Sequence, residues 1–146
     1  MIKYTNSPEE TEGVGAALAA ELEAAGRNSA FIALRGEMGV GKTAFSRGFA
    51  SHFGISGVKS PTYTIVNEHR GRVNLFHFDM YRIEDGDDLY SIGYDEYVEG
   101  DGYCIVEWSE NIEEFIPSDA IFVTISRHGN DAEGRKIEIE YENTCI

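Results

Sequence analysis

Gly36-Glu37-Met38-Gly39-Val40-Gly41-Lys42-Thr43 is the stretch on which the fold turns. It fits G-x-x-x-x-G-K-[ST]. The chain's own Gly, Lys and Ser/Thr frequencies would produce that pattern by chance about 0.005 times in a sequence of this length, so the match carries weight. Glycines let successive backbone N–H groups turn inward on an anion where a Cβ would obstruct them. Just before the motif lies Ala30-Phe31-Ile32-Ala33-Leu34, a short apolar run of the kind buried strands show. Just after it, Phe45, Phe49 and Phe53 keep helical spacing until Gly54. A helix in that place points its positive N-terminal end at the same anion.

Further out, Ser7-Pro8-Glu9-Glu10 reads as a helix start. Ser7 caps, Pro8 takes the first helical position, and Glu10 completes a capping box. Val14, Ala17, Leu18, Leu22 and Ala25 then share one face, and Gly26 stops the helix. Thr62 to Glu68 and Arg72 to Asp79 read as two strands joined across Arg70-Gly71. A weak helix is expected near Asp87 to Ile92, and Tyr103-Cys104-Ile105-Val106 reads as a buried strand ending at Glu107-Trp108. Ile121 to Ser126 and Lys136 to Tyr141 close the chain as an antiparallel pair. The expectation is one α/β domain over residues 1–146, P-loop NTPase-like, with three layers and a mixed central sheet.

In such a loop Lys42 bridges the β- and γ-phosphates of a nucleotide and the Thr43 hydroxyl ligates Mg²⁺. Hydrolysis also needs a carboxylate at the end of a neighbouring strand. Asp79, after Phe76-His77-Phe78, and Glu107, after Cys104-Ile105-Val106, both end apolar runs. One would serve the metal and the other the attacking water, and spacing alone does not say which. His77, in alternating register with Asp79, reads as a packed or hydrogen-bonded histidine rather than a catalyst. Trp108 reads equally as a nucleotide neighbour or a core residue. Arg35 and Arg82 either offset phosphate charge or pair with nearby acids, and Cys104 reads as buried apolar filler.

Twelve basic against 26 acidic residues give a net charge of −14, which repels a nucleic-acid backbone. The acid is concentrated: residues 84–114 hold many Asp and Glu and no Lys or Arg, whereas residues 35–82 are net basic. A basic middle receives an anion, and the acidic stretch is either a solvated face or a docking face for a basic protein. The longest run free of charged residues, Gly48 to Val58, is 11 residues, short of the roughly 20 a membrane helix requires. Met1-Ile2-Lys3-Tyr4 lacks an apolar signal core, Glu9, Glu10 and Glu12 argue against a transit peptide, and Cys104 and Cys145 form no disulfide framework. The expectation is a cytoplasmic protein with reduced thiols.

Taken in order, the segments resemble one family, the bacterial TsaE (YjeE) P-loop ATPases of the tRNA threonylcarbamoyladenosine (t6A) pathway. The resemblance rests on Gly36 to Thr43, Val58-Lys59-Ser60-Pro61-Thr62-Tyr63-Thr64, His77-Phe78-Asp79-Met80-Tyr81-Arg82, Ile92-Gly93-Tyr94-Asp95-Glu96-Tyr97 and Ile105-Val106-Glu107-Trp108. The last 25 or so residues match only in strand pattern. The resemblance implies nucleotide contacts from Thr11 (at the adenine end), Glu37, Met38, Gly39, Val40, Gly41, Lys42, Thr43, Ala44 and Trp108. It implies a switch-like Thr62 that senses the γ-phosphate, on a loop that Pro61 stiffens by biasing Ser60 toward extended backbone. Asp79 and Glu107 would be the metal and water carboxylates. Glu37, Met38 and Val40 stand where Asp, Leu and Ala are more usual.

The family's role, so implied, is to bind ATP and Mg²⁺ and hydrolyse ATP slowly to ADP while docked on the TsaD and TsaB proteins. Those partners transfer the threonylcarbamoyl group to tRNA adenosine 37, so tRNA is met only through the complex. No membrane partner is expected, and the isolated chain is expected to be a monomer. A small-molecule kinase fits less well, because its arginine-bearing lid has no counterpart in residues 84–114. A nucleotide-gated binding module with negligible turnover shares the same residues. A GTPase is disfavoured by the absence of N-K-x-D.

Overall fold

The computed structural model describes residues 1–37, 39–58 and 65–141. Met38, Ser60, Pro61, Thr62 and Cys145 lie outside the described residues. In chain order the strands are Ile2–Thr5 (β1), Ala30–Arg35 (β2), Val66–Arg70 (β3), Asn74–Asp79 (β4), Tyr103–Glu107 (β5), Ile121–Arg127 (β6) and Arg135–Tyr141 (β7). The helices are Pro8–Ala24 (α1), Lys42–His52 (α2), Gly86–Ser91 (α3) and Tyr94–Glu99 (α4), with a 3-10 helix at Ser109–Phe115.

Among the described residues the sheet has seven strands in the order β1-β7-β6-β2-β5-β4-β3. β2 runs parallel to β5 and β6, and β4 runs parallel to β5. Antiparallel pairs finish both edges: β3 on β4, and β7 on β6 with β1 beyond it. The central strands are apolar on both faces because both are covered, as parallel strands require. Ile32 and Leu34 face a core with Leu18 and Leu22 of α1 and Phe45 and Phe49 of α2. Phe31 and Ala33 face the opposite side, toward Leu89 of α3, Tyr94 of α4 and Ile112. Alternation along one strand thereby builds two cores and three layers. Cys104 is buried in the second core; burial pushes its thiol up to about 12, as suits an apolar filler.

Several local expectations are refined. Ser7 accepts from Glu10 N at 3.1 Å, but the Glu10 carboxylate reaches past Ser7 to the Asn6 N–H at 2.8 Å. The other end closes as a Schellman turn, Gly26 N–H on Glu23 O and Arg27 N–H on Leu22 O. The buried face of α1 is Thr11, Gly15, Leu18, Ala19 and Leu22, whereas Ala17 and Ala25 are exposed. The cause is how α1 meets α2. An added Cβ at Gly15 would lie 2.2 Å from Phe45 O, and one at Gly48 only 1.8 Å from Glu12 O. Two glycines let these helix backbones touch, so the face is set by backbone approach rather than by the alanine and valine pattern. β3 begins at Val66, later than expected, and the segment from Thr62 to Thr64 is not described. β1, α4 and the 3-10 helix had no counterpart in the sequence reading.

Gly48→Ala sets two effects against each other. Helix propensity alone gains about 1 kcal/mol from the change. Overpacking costs about 1–3 kcal/mol or more, and here the obstacle is backbone that cannot rotate away. The expected outcome is net destabilisation by about 2 kcal/mol in urea unfolding, against the sign that helix propensity gives.

Candidate functional site

Parallel register brings the carboxyl ends of β2, β4 and β5 to one edge of the sheet, the place where open α/β sheets bind ligands. β2 runs into the loop that precedes α2. At Gly36 φ is +146°, and a Cβ there would lie 2.4 Å from Ile125 O, so only glycine lets the loop leave the sheet along this path. Gly41 caps α2 with φ +113°, in the left-handed region, and has no side chain to bond the first helical N–H groups. The positive end of the helix dipole, with no side-chain cap, therefore faces the loop, the arrangement that favours an anion.

Lys42, the first residue of α2, is 5 % exposed. Its Nζ donates to Gly36 O at 2.7 Å and lies 4.3 Å from the centre of the Trp108 ring. An ammonium has three protons, so the bond to Gly36 leaves capacity for a further acceptor. Trp108 follows β5 directly and has φ +58°, the one positive φ at a non-glycine residue among those described. This backbone costs energy in a bulky residue. It turns the ring over Lys42 and against Tyr81, whose ring centre is 5.0 Å away.

Asp79 and Glu107 are direct register partners at the ends of β4 and β5. Glu107 is buried at 5 % exposure, and its Oε2 lies 2.5 Å from His77 Nε2. Asp79 accepts the Tyr81 N–H at 2.9 Å. Burial raises the Asp79 carboxyl above its ordinary value, and the Glu107 charge adds to the rise; the Tyr81 N–H, Lys42 and His77 oppose it. Two carboxylates side by side, opposite a buried ammonium, form a place where a cation would relieve repulsion.

These groups line a cavity of about 660 Å³ with Ser7, Pro8, Thr11, Gly39, Val40, Gly41, Thr43, Ala44, Arg47, Glu133 and Arg135. The volume falls in the range of small-molecule sites. Thr11 is buried and its hydroxyl lies 2.8 Å from that of Thr5. Among the expected residues, Glu37 is exposed and outside the lining, and Met38 and Thr62 lie outside the described residues. Arg35 pairs with Glu113 and stacks on Phe122, so it serves the fold rather than the cavity.

The sequence model of the family described as "Threonylcarbamoyl adenosine biosynthesis protein TsaE" matches residues 5–137. The chain belongs to the TsaE family. It is 42 % identical over 130 residues to the tRNA threonylcarbamoyladenosine biosynthesis protein TsaE of Bacillus subtilis, covering 87 % of this chain and 78 % of that protein. The Haemophilus influenzae protein of the same name is 40 % identical over 111 residues, 74 % of this chain and 68 % of that one. The crystal structure of Bacillus subtilis YdiB superposes with a TM-score of 0.80 at 33 % identity, covering 97 % of this chain and 85 % of that chain. The three-layer, P-loop NTPase-like fold read from the sequence is therefore the fold of this TsaE-family chain.

Three lining residues had no place in the sequence reading. Arg47 stands one helical turn beyond Thr43, a spacing that puts both on one side of α2 and so was there to be read. Arg135 donates from Nε to Val40 O at 2.7 Å and from its η nitrogen to Ala132 O and Gly134 O, tying the β6–β7 loop to the glycine-rich loop. Nothing local in the sequence marks that contact or the neighbouring Glu133, which come from folding the last hairpin against residues far earlier in the chain.

Because Asp79 has a raised carboxyl pKa in the fold, its charged form is destabilising there. Wild-type stability is favoured below the unfolded value near 3.8 and lost as pH rises through the folded value. Asp79→Asn removes that charge and keeps an oxygen for the Tyr81 N–H. Its melting temperature, without nucleotide, is expected to exceed wild type at pH 7, and the gain to vanish below about pH 3.8, where both side chains are neutral. Thermal melts of both proteins across pH check this.

Proposed function

We propose that this chain is an accessory ATPase of t6A biosynthesis, one P-loop ATPase domain over residues 1–146, that binds Mg-ATP in the cavity and hydrolyses it slowly to ADP. One observation carries the reading. The N-terminus of α2, which has no side-chain cap, lines one cavity with Lys42 and the paired carboxylates Asp79 and Glu107. The family to which the chain belongs supports the pathway.

The residues fit the group they would take. Gly39 and Gly41, which line the cavity, keep the loop free of Cβ atoms where phosphate oxygens would approach the backbone amides. Thr43, Asp79 and Glu107 offer hard oxygen donors of the kind Mg²⁺ prefers. When bound, the ion neutralises charge that develops between the β- and γ-phosphates. The chain's own part is mostly positioning. Loop amides from Gly39 to Ala44 orient the phosphates, Lys42 adds a buried positive charge, and Thr43 holds the metal. Asp79 and Glu107 divide the metal and water roles, Thr62 senses the γ-phosphate, and Trp108 shields the Lys42 side from solvent. Thr11 and the start of α1 form the far wall, where the adenine end lies.

The partners in this reading are the TsaD and TsaB proteins, which carry out threonylcarbamoyl transfer. The isolated chain is a cytoplasmic monomer and meets tRNA only through the complex. A net charge of −14 agrees with that division, since the basic surface for RNA then belongs to a partner. Among the described residues no helix is long and apolar enough to cross a membrane.

Trp108 is the single tryptophan and lines the cavity, so its fluorescence is a built-in reporter. Titrating Mg-ATP should shift that emission saturably, with matching heat in calorimetry. Lys42→Ala should weaken binding by about 100-fold and cut turnover with TsaD and TsaB at least as far. Equal turnover by the variant would remove the assignment. Bound ATP that persists uncleaved with both partners present would make the chain a nucleotide-gated module instead.

A further inference from the structure

His77 is fully buried, at 0 % exposure, beside the cavity, yet the proposed reaction gives it no task. It lies on β4 opposite Ile105 of β5, two residues before Glu107. Its Nε2 is 2.5 Å from Glu107 Oε2, and among the described residues its Nδ1 has no hydrogen-bond partner. At that distance the two side chains are hydrogen-bonded, the ring N–H donating and the carboxylate oxygen accepting. Among the described residues the bond to Glu107 is the one hydrogen bond the buried ring makes, so it is the contact that sets the ring's polar edge.

We infer that His77 is the positioning residue for Glu107, resting on the reading of the cavity as a Mg-ATP site: it ties down Oε2 so that Oε1 is the oxygen offered to the metal or the attacking water. A glutamate has three side-chain torsions, and free rotation would let Glu107 turn toward Lys42 or away from Asp79. One short bond from a rigid ring, itself wedged in a strand with no exposed atoms, removes that freedom. Asp79 needs no such aid, because the Tyr81 N–H already fixes its Oδ1. The two acids are therefore held by different devices, one by backbone and one by a buried ring.

The test compares His77→Gln with His77→Asn. A Gln amide nitrogen reaches about where Nε2 stands, whereas an Asn amide falls short, nearer Nδ1, and both bury a similar polar group. Affinity for ATP without Mg²⁺, read from Trp108 fluorescence, should stay within about threefold of wild type in both variants, since the glycine-rich loop is untouched. The gain in affinity on adding Mg²⁺, and kcat with TsaD and TsaB, should survive in His77→Gln to within about threefold. Both should fall at least tenfold in His77→Asn, with KM for ATP little changed. In the Glu107→Gln background, His77→Asn should cost under twofold more, because the group it positions is already disabled. Equal behaviour of the Gln and Asn variants, or a full additional loss in the Glu107→Gln background, would overturn the inference. A wild-type protein that gives no fluorescence or heat with ATP would instead remove the nucleotide reading beneath it.

Discussion

Parallel pairing of β2 with β5, and of β5 with β4, is the constraint from which the cavity follows. Because the three strands point the same way, the chain leaves each at the same edge of the sheet. The glycine-rich loop leaves β2 there, and Asp79 and Glu107 end β4 and β5 beside it. A one-residue slip of β4 against β5 would turn one carboxylate to the other face and into apolar core. Buried residues on both faces prevent such a slip: Phe76, Phe78, Cys104 and Val106 fill one core while Leu75, Tyr103 and Ile105 fill the other. Packing that holds the fold together is thus also what holds the acids side by side.

The second constraint is the close crossing of α1 and α2. Gly15 and Gly48 leave no side chain between the helices, so the start of α1, with Ser7, Pro8 and Thr11, is drawn to the rim of the cavity. Arg135 acts from the other side, joining the β6–β7 loop to Val40 O. The cavity is therefore walled by segments from both ends of the described chain, with the glycine-rich loop between them. Burial disfavours the charged form of Asp79, and the left-handed backbone of Trp108 costs energy, so packing elsewhere in the fold has to offset both.

Much of this was legible in residue order. The motif from Gly36 to Thr43 marks its own strand and helix, because a tight glycine turn between an apolar run and a helical phenylalanine pattern has few other solutions. Asp79 and Glu107 stood out because an acid ending an apolar strand has nowhere solvated to go. Other features were hidden for definite reasons. β1 is four residues with mostly exposed side chains, and only the free edge of β7 makes it a strand. The α1 face was read in part: Leu18 and Leu22 are buried and Val14 packs beside them, but hydrophobicity scores Gly15 as neutral, while the crossing needs it for what it lacks. His77 was read as a packed or hydrogen-bonded histidine, and it is both; which partner it bonds, Glu107 on the next strand, has no local signal.

The sequence alone therefore determined the groups on offer: a glycine-rich loop, a lysine and hydroxyl at its end, two acids at strand ends, and a net charge of −14. Those are properties of residue type and short spacing, which survive in one dimension. Tertiary structure alone decided which groups meet: the Asp79–Glu107 register, the His77–Glu107 bond, the Arg135 tie and the Trp108 ring over Lys42. Each joins residues tens of positions apart, and their distance is set by strand register and helix crossing, which no local pattern encodes.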